Sequence, residues 1–167
     1  MVTIMIAICM PGGDIEYIEA DEMLWLRQAF DHEFKGMVML RLAAPDRIYS
    51  VETIDALEAK FRAAGASIAR FTPPEDTRVM VVNTGKVREV EPSNPAISHG
   101  SANSVLKFGP RLGLAVRETE AQSEAILAKA RQLPNGLSAT AVASGAVLGA
   151  VIGAAAAVVI TPTEEDA

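Results

Sequence analysis

The first 91 residues alternate between short apolar runs and turn residues, which predicts a small folded unit. An apolar run over residues 2–9 stops at a Pro-Gly-Gly turn and predicts a buried strand. Another short apolar run over residues 37–42 predicts a second strand. Between them, apolar side chains recur every three or four residues over 20–34, which predicts an amphipathic helix ending at Gly36; they are Met23, Leu26, Phe30 and Phe34.

A second helix is predicted over residues 51–64. Ser50 can cap it, Gly65 can end it, and its apolar stripe consists of Val51, Ile54, Leu57 and Phe61. Later apolar runs predict strands at 68–71, 79–82 and 87–90, the last two joined as a β-hairpin by a four-residue loop. Residues 1–91 are therefore interpreted as a soluble α/β head.

The composition changes after residue 91. Residues 92–111 are rich in Pro, Gly and Ser and predict a linker or an extended arm. Residues 112–133 contain no proline and are rich in alanine, which predicts an amphipathic helix with a narrow, weakly apolar face. Two packings stay open for this helix: against another helix of the same assembly, or back on the head.

The segment 137–160 carries no charged residue. A helix of this length would extend about 36 Å, enough to cross a hydrocarbon core of about 30 Å. Lys129 and Arg131 precede it and an acidic tail over 161–167 follows, which places the head on the cytoplasmic or particle-interior side. The predicted fold class is α+β: a small α/β head followed by an amphipathic helix and one C-terminal transmembrane helix, in a single-pass, tail-anchored membrane protein.

Small residues occupy every fourth position of this segment and predict a helix-packing groove of the glycine-zipper kind. In lipid such grooves let helix backbones approach closely. The predicted interface residues are Ala141, Gly145, Gly149, Gly153 and Ala157. Two other interpretations of the segment stay open: a helix that inserts only on delivery to a target membrane, and a helix buried in a soluble bundle.

The formal net charge of -6 is unevenly distributed. Residues 1–59 carry an excess of acids, whereas residues 60–117 carry nine Lys and Arg against four acids. An acidic chain does not favour nucleic acid as the main partner, because phosphate binding needs a basic surface. The basic middle leaves contact with anionic lipid or RNA open, and the asymmetry equally suits contacts between neighbouring copies.

Side chains that carry chemistry are few. Cys9 is the single cysteine and lies in an apolar run, where a buried thiol is expected. His32 lies between two acids on a predicted helix, where adjacent residues do not face one another. His99 and Ser101 lie in the predicted linker, which lacks the rigid support that catalysis requires. We therefore expect no catalytic residue, cofactor or metal ion, and we predict that the chain is not an enzyme.

Two classes of function remain. The favoured class is a non-enzymatic, membrane-anchored structural or assembly subunit of an oligomeric complex, in an envelope complex or a membrane-containing virion. Its expected partners are the lipid bilayer, itself or other membrane subunits through the span, and protein partners of the head. The alternative is a membrane-tethered enzyme or ligand-binding head, or a particle protein that inserts its Gly/Ala-rich helix into a target membrane on delivery.

Overall fold

The computed structural model describes residues 3–44, 47–76 and 78–132. Ten strands and two α-helices are present in this part of the chain. In chain order they are β1 (Met5–Cys9), β2 (Ile15–Glu19), β3 (Met23–Gln28), β4 (Val38–Leu42), β5 (Arg47–Ser50), α1 (Ile54–Ala63), β6 (Ile68–Phe71), β7 (Met80–Asn83), β8 (Glu89–Pro92), β9 (Ser104–Gly109), β10 (Leu112–Val116) and α2 (Glu120–Gln132).

The strands form three antiparallel sheets. A two-stranded ribbon contains β1 and β2, a central sheet has the strand order β5-β4-β3-β7-β6, and a third sheet has the order β10-β9-β8. The turn of the ribbon is the Pro-Gly-Gly sequence, in which Gly12 and Gly13 adopt positive φ angles of 97° and 93°. A side chain is strained in that backbone region, so the predicted turn has the residues that it requires.

The central sheet is covered on both faces. One face packs on the ribbon and α1 through a buried cluster that includes Ile8, Leu40 and Phe61. The other face packs on the third sheet and α2 through a second cluster, which includes Leu106 and Leu127. The two faces of this sheet therefore hold two separate apolar cores.

The helix predicted over residues 51–64 is confirmed as α1, but it begins at Ile54, and the predicted cap Ser50 is wrong because Ser50 is the last residue of β5. Its N-terminal cap is Thr53, whose side-chain oxygen accepts a hydrogen bond from the backbone N–H of Ala56. Leu57 and Phe61 are fully buried, one turn apart, as the apolar period predicts. The predicted strands over 2–9, 37–42 and 68–71 are also present, as β1, β4 and β6.

The predicted fold class is wrong, because the described part of the chain is mostly β-sheet. The largest error falls on residues 20–34, where the structure has β3 followed by a loop instead of a helix. Met23, Leu24, Trp25 and Leu26 are all buried. A central strand covered on both faces has a continuous apolar run, and that run also satisfied a helical spacing.

Two other elements differ from the predicted ones. β7 and β8 lie in different sheets, so they do not pair as a hairpin, and a short 3-10 turn over Thr84–Lys86 connects them. The segment 112–133 begins with a strand, β10, and only its second half is the helix α2. α2 packs back on the third sheet and β6, which agrees with the second of the two packings considered above.

The interval 92–111, interpreted above as a linker or an extended arm, contains β9. This strand pairs with both β8 and β10 and forms the middle of the third sheet. Its burial alternates, with Ser104, Leu106 and Phe108 buried on one side. The Pro and Gly residues that suggested a linker lie mainly in the loop between β8 and β9 and in the turn after β9.

The predicted membrane location is wrong for the part of the chain that the structure describes. No helix there is long and apolar enough to cross a membrane. The predicted span over 137–160 and the acidic tail over 161–167 lie outside the described residues.

Candidate functional site

A cleft of about 210 Å³ lies between β10 of the third sheet and the central sheet. β10 forms one wall through Gly113, Leu114 and Ala115. The opposite wall is the β3–β4–β5 half of the central sheet, from which three arginines line the cleft. We call this site the arginine cleft; its guanidinium groups belong to Arg27, Arg41 and Arg47.

Strand register places the three arginines on one face. Arg41 on β4 lies directly between Trp25 on β3 and Arg47 on β5, as cross-strand neighbours. Arg27 lies two residues beyond Trp25 and therefore points to the same side of the sheet. Like charges directly opposite each other on neighbouring strands destabilise a sheet. Arg41 and Arg47 are therefore two like charges set side by side at the cleft.

A single carboxylate organises this cluster from the loop between β3 and β4. Glu33 accepts two parallel hydrogen bonds from Arg27, at 2.9 and 3.1 Å, and a third from the Tyr49 hydroxyl at 3.2 Å. The backbone N–H of Phe30 donates to it at 2.8 Å, and a guanidinium nitrogen of Arg47 lies 3.7 Å away. Glu33 thus connects β3, its following loop and β5 at the rim of the cleft.

These contacts change the acidity of Glu33. The hydrogen bonds from Arg27, opposed by partial burial, lower the pKa of this carboxyl from 4.5 to about 2. The backbone N–H of Phe30 and the charge of Arg27 act in the same direction. Glu33 is therefore ionised at neutral pH and holds the Arg27 guanidinium in one orientation.

Aromatic rings surround the arginines. The Arg27 guanidinium lies 3.9 Å from the centre of the Phe30 ring, and the Arg41 guanidinium lies 5.9 Å from the centre of the Trp25 ring. His32 stacks on Phe30 at 5.5 Å. Two further rings, Phe34 and Tyr49, meet at 4.6 Å, and half of Phe34 is exposed. Of these rings, His32 and Phe34 are exposed, whereas Trp25 is buried.

Three arginines and one carboxylate, Glu75, line the cleft. A second carboxylate, Glu33, pairs with Arg27 at 2.9 Å and lies 3.7 Å from Arg47, so the arginines still exceed the nearby carboxylates by one charge. The neighbouring loop is held in place by Arg117, which donates hydrogen bonds to the carbonyl oxygens of Pro73 and Pro74 at 3.1 and 3.0 Å. Across the described ranges, no group of three or more His, Cys, Asp or Glu side chains is arranged to hold a metal ion. Anion binding is what this arrangement can do chemically.

The residues that the sequence singled out lie apart from one another. His32 belongs to the rim of the cleft, where it is exposed and stacked on an aromatic ring. His99 accepts a hydrogen bond from the backbone N–H of Ser101 in an exposed loop, at 3.1 Å. Cys9 lies on the ribbon and is partly buried. The predicted helix-packing residues lie outside the described part of the chain and stay a prediction: Ala141, Gly145, Gly149, Gly153 and Ala157.

Sequence reasoning missed the arginine cleft. Its three arginines are 14 and 6 residues apart along the chain, and only the pairing register of β3, β4 and β5 brings them together. One signal was available. Arg41 and Arg47 flank a turn between two short apolar runs, which is the pattern of a hairpin.

Comparisons with known proteins assign no family. No family model matches the sequence, and no curated protein matches it. A solved structure, the LytTr DNA-binding domain of a Bacillus cereus protein, aligns with 80% of this chain and 100% of its own length, at 11% identity and a TM-score of 0.44. The membrane and virion interpretation is not carried further, because the described ranges contain no helix long and apolar enough to cross a membrane. A likeness at this level assigns no partner to this chain.

Proposed function

We propose that the chain is a non-enzymatic nucleic-acid-binding module and that the arginine cleft holds backbone phosphates. The observation that carries the proposal is the alignment of Arg41 opposite Arg47, with Arg27 on the same face of the central sheet, in the lining of one cleft. A bound anion between these guanidinium groups lowers the repulsion between them. That the chain is not an enzyme is part of this proposal.

Guanidinium groups suit phosphate because their planar N–H donors match two phosphate oxygens at once. The exposed rings at the rim add surfaces on which bases stack, which is how proteins bind single strands with little sequence preference. Phe34 is 50% exposed. The guanidinium groups can therefore bind the phosphates of a strand while the neighbouring exposed rings stack on its bases.

The size of the cleft favours part of a polymer over a whole small molecule. Pockets for small ligands usually measure about 300–1,000 Å³. The arginine cleft measures about 210 Å³ and is open to solvent. It accommodates one phosphate with its neighbouring atoms, and the rest of the partner has to continue along the surface.

Many of the acids that make the chain acidic lie far from the arginine cleft. Five acids belong to the ribbon and the turn that follows it: Asp14, Glu16, Glu19, Asp21 and Glu22. The ribbon packs on the face of the central sheet opposite the cleft. The charge of the whole chain therefore does not describe the charge that a partner meets at the arginine cleft, although it keeps the affinity modest.

A matched pair of variants tests the proposal. Arg47 and Arg70 lie on the two edge strands of the central sheet and have side-chain exposures of 49% and 50%. Arg47 lines the cleft, whereas Arg70 faces α1 and pairs with Glu58 at 2.7 Å. Arg47→Gln and Arg70→Gln therefore remove the same charge from opposite faces.

We expect Arg47→Gln to weaken binding of a fluorescent 12-nucleotide single strand about fivefold, and to lower the slope of log K against log salt by about 1. Arg70→Gln should bind as the parent does. The readout is fluorescence anisotropy of the full chain across a salt series, with a duplex of the same length for comparison. Equal affinity of the parent and Arg47→Gln, or no binding of either nucleic acid, would overturn the proposal.

A further inference from the structure

The ribbon has an unpaired edge. β2 pairs with β1 and with no other strand of the described ranges. The opposite edge of β1 is covered: the Cys9 carbonyl accepts hydrogen bonds from Val51 N–H and the Ser50 hydroxyl, and the Ala7 carbonyl accepts one from Lys60 at 2.7 Å. The backbone groups of Ala7 and Cys9 therefore point away from β2.

Register then fixes which groups of β2 are free to pair. Ala7 lies opposite Tyr17, and Cys9 lies opposite Ile15. Directly opposite residues of an antiparallel pair point their backbone groups either towards each other or both away. The N–H and C=O groups of Ile15 and Tyr17 thus point outward, to the side where the described residues place no other strand.

The same residues present an apolar face. Tyr17 is 61% exposed, and Ile15 and Met5 are about half exposed beside it. Strand alternation places these three side chains on one side of the ribbon, with Ile6, Ile8 and Ile18 buried on the other. An unpaired strand edge with exposed apolar side chains is a template for pairing with another chain.

The charge on and beside β2 determines which kind of chain can pair with this edge. Asp14, Glu16 and Glu19 lie on or beside β2 and are exposed, and no cation in the described ranges forms an ion pair with them. A second copy that paired through β2 would bring two sets of these acids together, and like charges on adjacent strands destabilise the pairing. A basic segment would instead place cations beside these acids, and opposite charges on adjacent strands stabilise the pairing.

We propose that β2 accepts an extended protein segment with alternating basic and apolar side chains, which adds as a third strand to the ribbon. Apolar side chains of this segment pack on Ile15 and Tyr17, and its cations lie beside Glu16 and the flanking acids. Main-chain hydrogen bonds to the outward groups of β2 supply affinity, and the charge pattern supplies selectivity. This surface is separate from the arginine cleft, so it adds a protein partner to the proposed function.

The test uses the full chain and an eight-residue peptide of alternating Lys and Val with a fluorescent label. Tyr17→Pro removes the outward N–H of Tyr17 and spares the ladder bonds to β1, so the ribbon is kept. Tyr17→Thr is its matched control, because it removes the same ring and keeps the N–H. We expect Tyr17→Pro to weaken peptide binding at least about tenfold relative to Tyr17→Thr.

Further measurements separate the possible occupants. Binding of the Lys/Val peptide should slow amide exchange of Ile15 and Tyr17, and a Glu/Val peptide of the same length should not bind. Arg47→Gln should leave peptide binding unchanged whatever it does to nucleic acid. Equal peptide affinity of the two Tyr17 variants, equal binding of the Glu/Val peptide, or a concentration-dependent dimer that Tyr17→Pro abolishes while the peptide does not bind would each overturn the proposal.

Discussion

Phe61→Ala is expected to lower the free energy of unfolding by about 3–5 kcal/mol. The Phe61 ring is fully buried in the core between the central sheet, the ribbon and α1, beside Leu26, Leu40 and Leu57. Its removal loses the transfer free energy of the ring and leaves a cavity that the surrounding strands only partly fill. Urea unfolding of the full chain, followed by far-ultraviolet circular dichroism, measures the change.

Val51→Ala is the control for this variant. Val51 belongs to the same predicted apolar stripe, but the structure places it before α1 and 53% exposed. We expect it to change the free energy of unfolding by no more than about 0.5 kcal/mol. If Val51→Ala costs as much as Phe61→Ala, or if both are silent, the packing of α1 described above is incorrect.

Acidification is expected to remove roughly 2–3 kcal/mol of stability through Glu33. The pKa of this carboxyl is lowered from 4.5 to about 2 in the folded chain, first by the hydrogen bonds from Arg27. A group whose pKa falls on folding stabilises the protein at pH values above its unfolded pKa. That stabilisation is fully present above about pH 5 and is lost as the pH falls from about 4.5 towards 2.

Glu33→Gln tests this assignment, because an amide does not titrate in this range. The parent should lose stability more steeply than the variant between pH 5 and pH 2.5, and the two curves should converge at the acid end. Parallel curves for the parent and Glu33→Gln would show that the contacts to Arg27 do not depress the pKa in solution.

Elements whose apolar pattern has one interpretation could be predicted from the sequence. α1 has a polar side and an apolar side, and β6 is a short apolar run between turn residues, so both appear where they were expected. β3 was missed because its run Met23–Leu26 is buried on both faces and shows no period of two. Propensity and spacing carry no information about which faces the rest of the chain covers.

Strand pairing was the other feature that could not be predicted from the sequence. β7 and β8 are adjacent in sequence and look like a hairpin, yet each pairs in a different sheet. The choice depends on contacts with β3, β6 and β9, which are distant in sequence. The arginine cleft depends on the same information, since the register of β4 and β5 is what sets Arg41 opposite Arg47.

The position of a bound oligonucleotide on the protein tests whether the arginine cleft binds phosphate. Backbone amide chemical shifts of the isotopically labelled full chain are measured while a 12-nucleotide single strand is added at low salt. We expect the largest changes on Arg27, Arg41 and Arg47 and on the loop that carries Phe34, with α1 and β2 nearly unchanged. Changes confined to other surfaces, or no change at saturating oligonucleotide, would contradict the assignment of the arginine cleft as a phosphate-binding site.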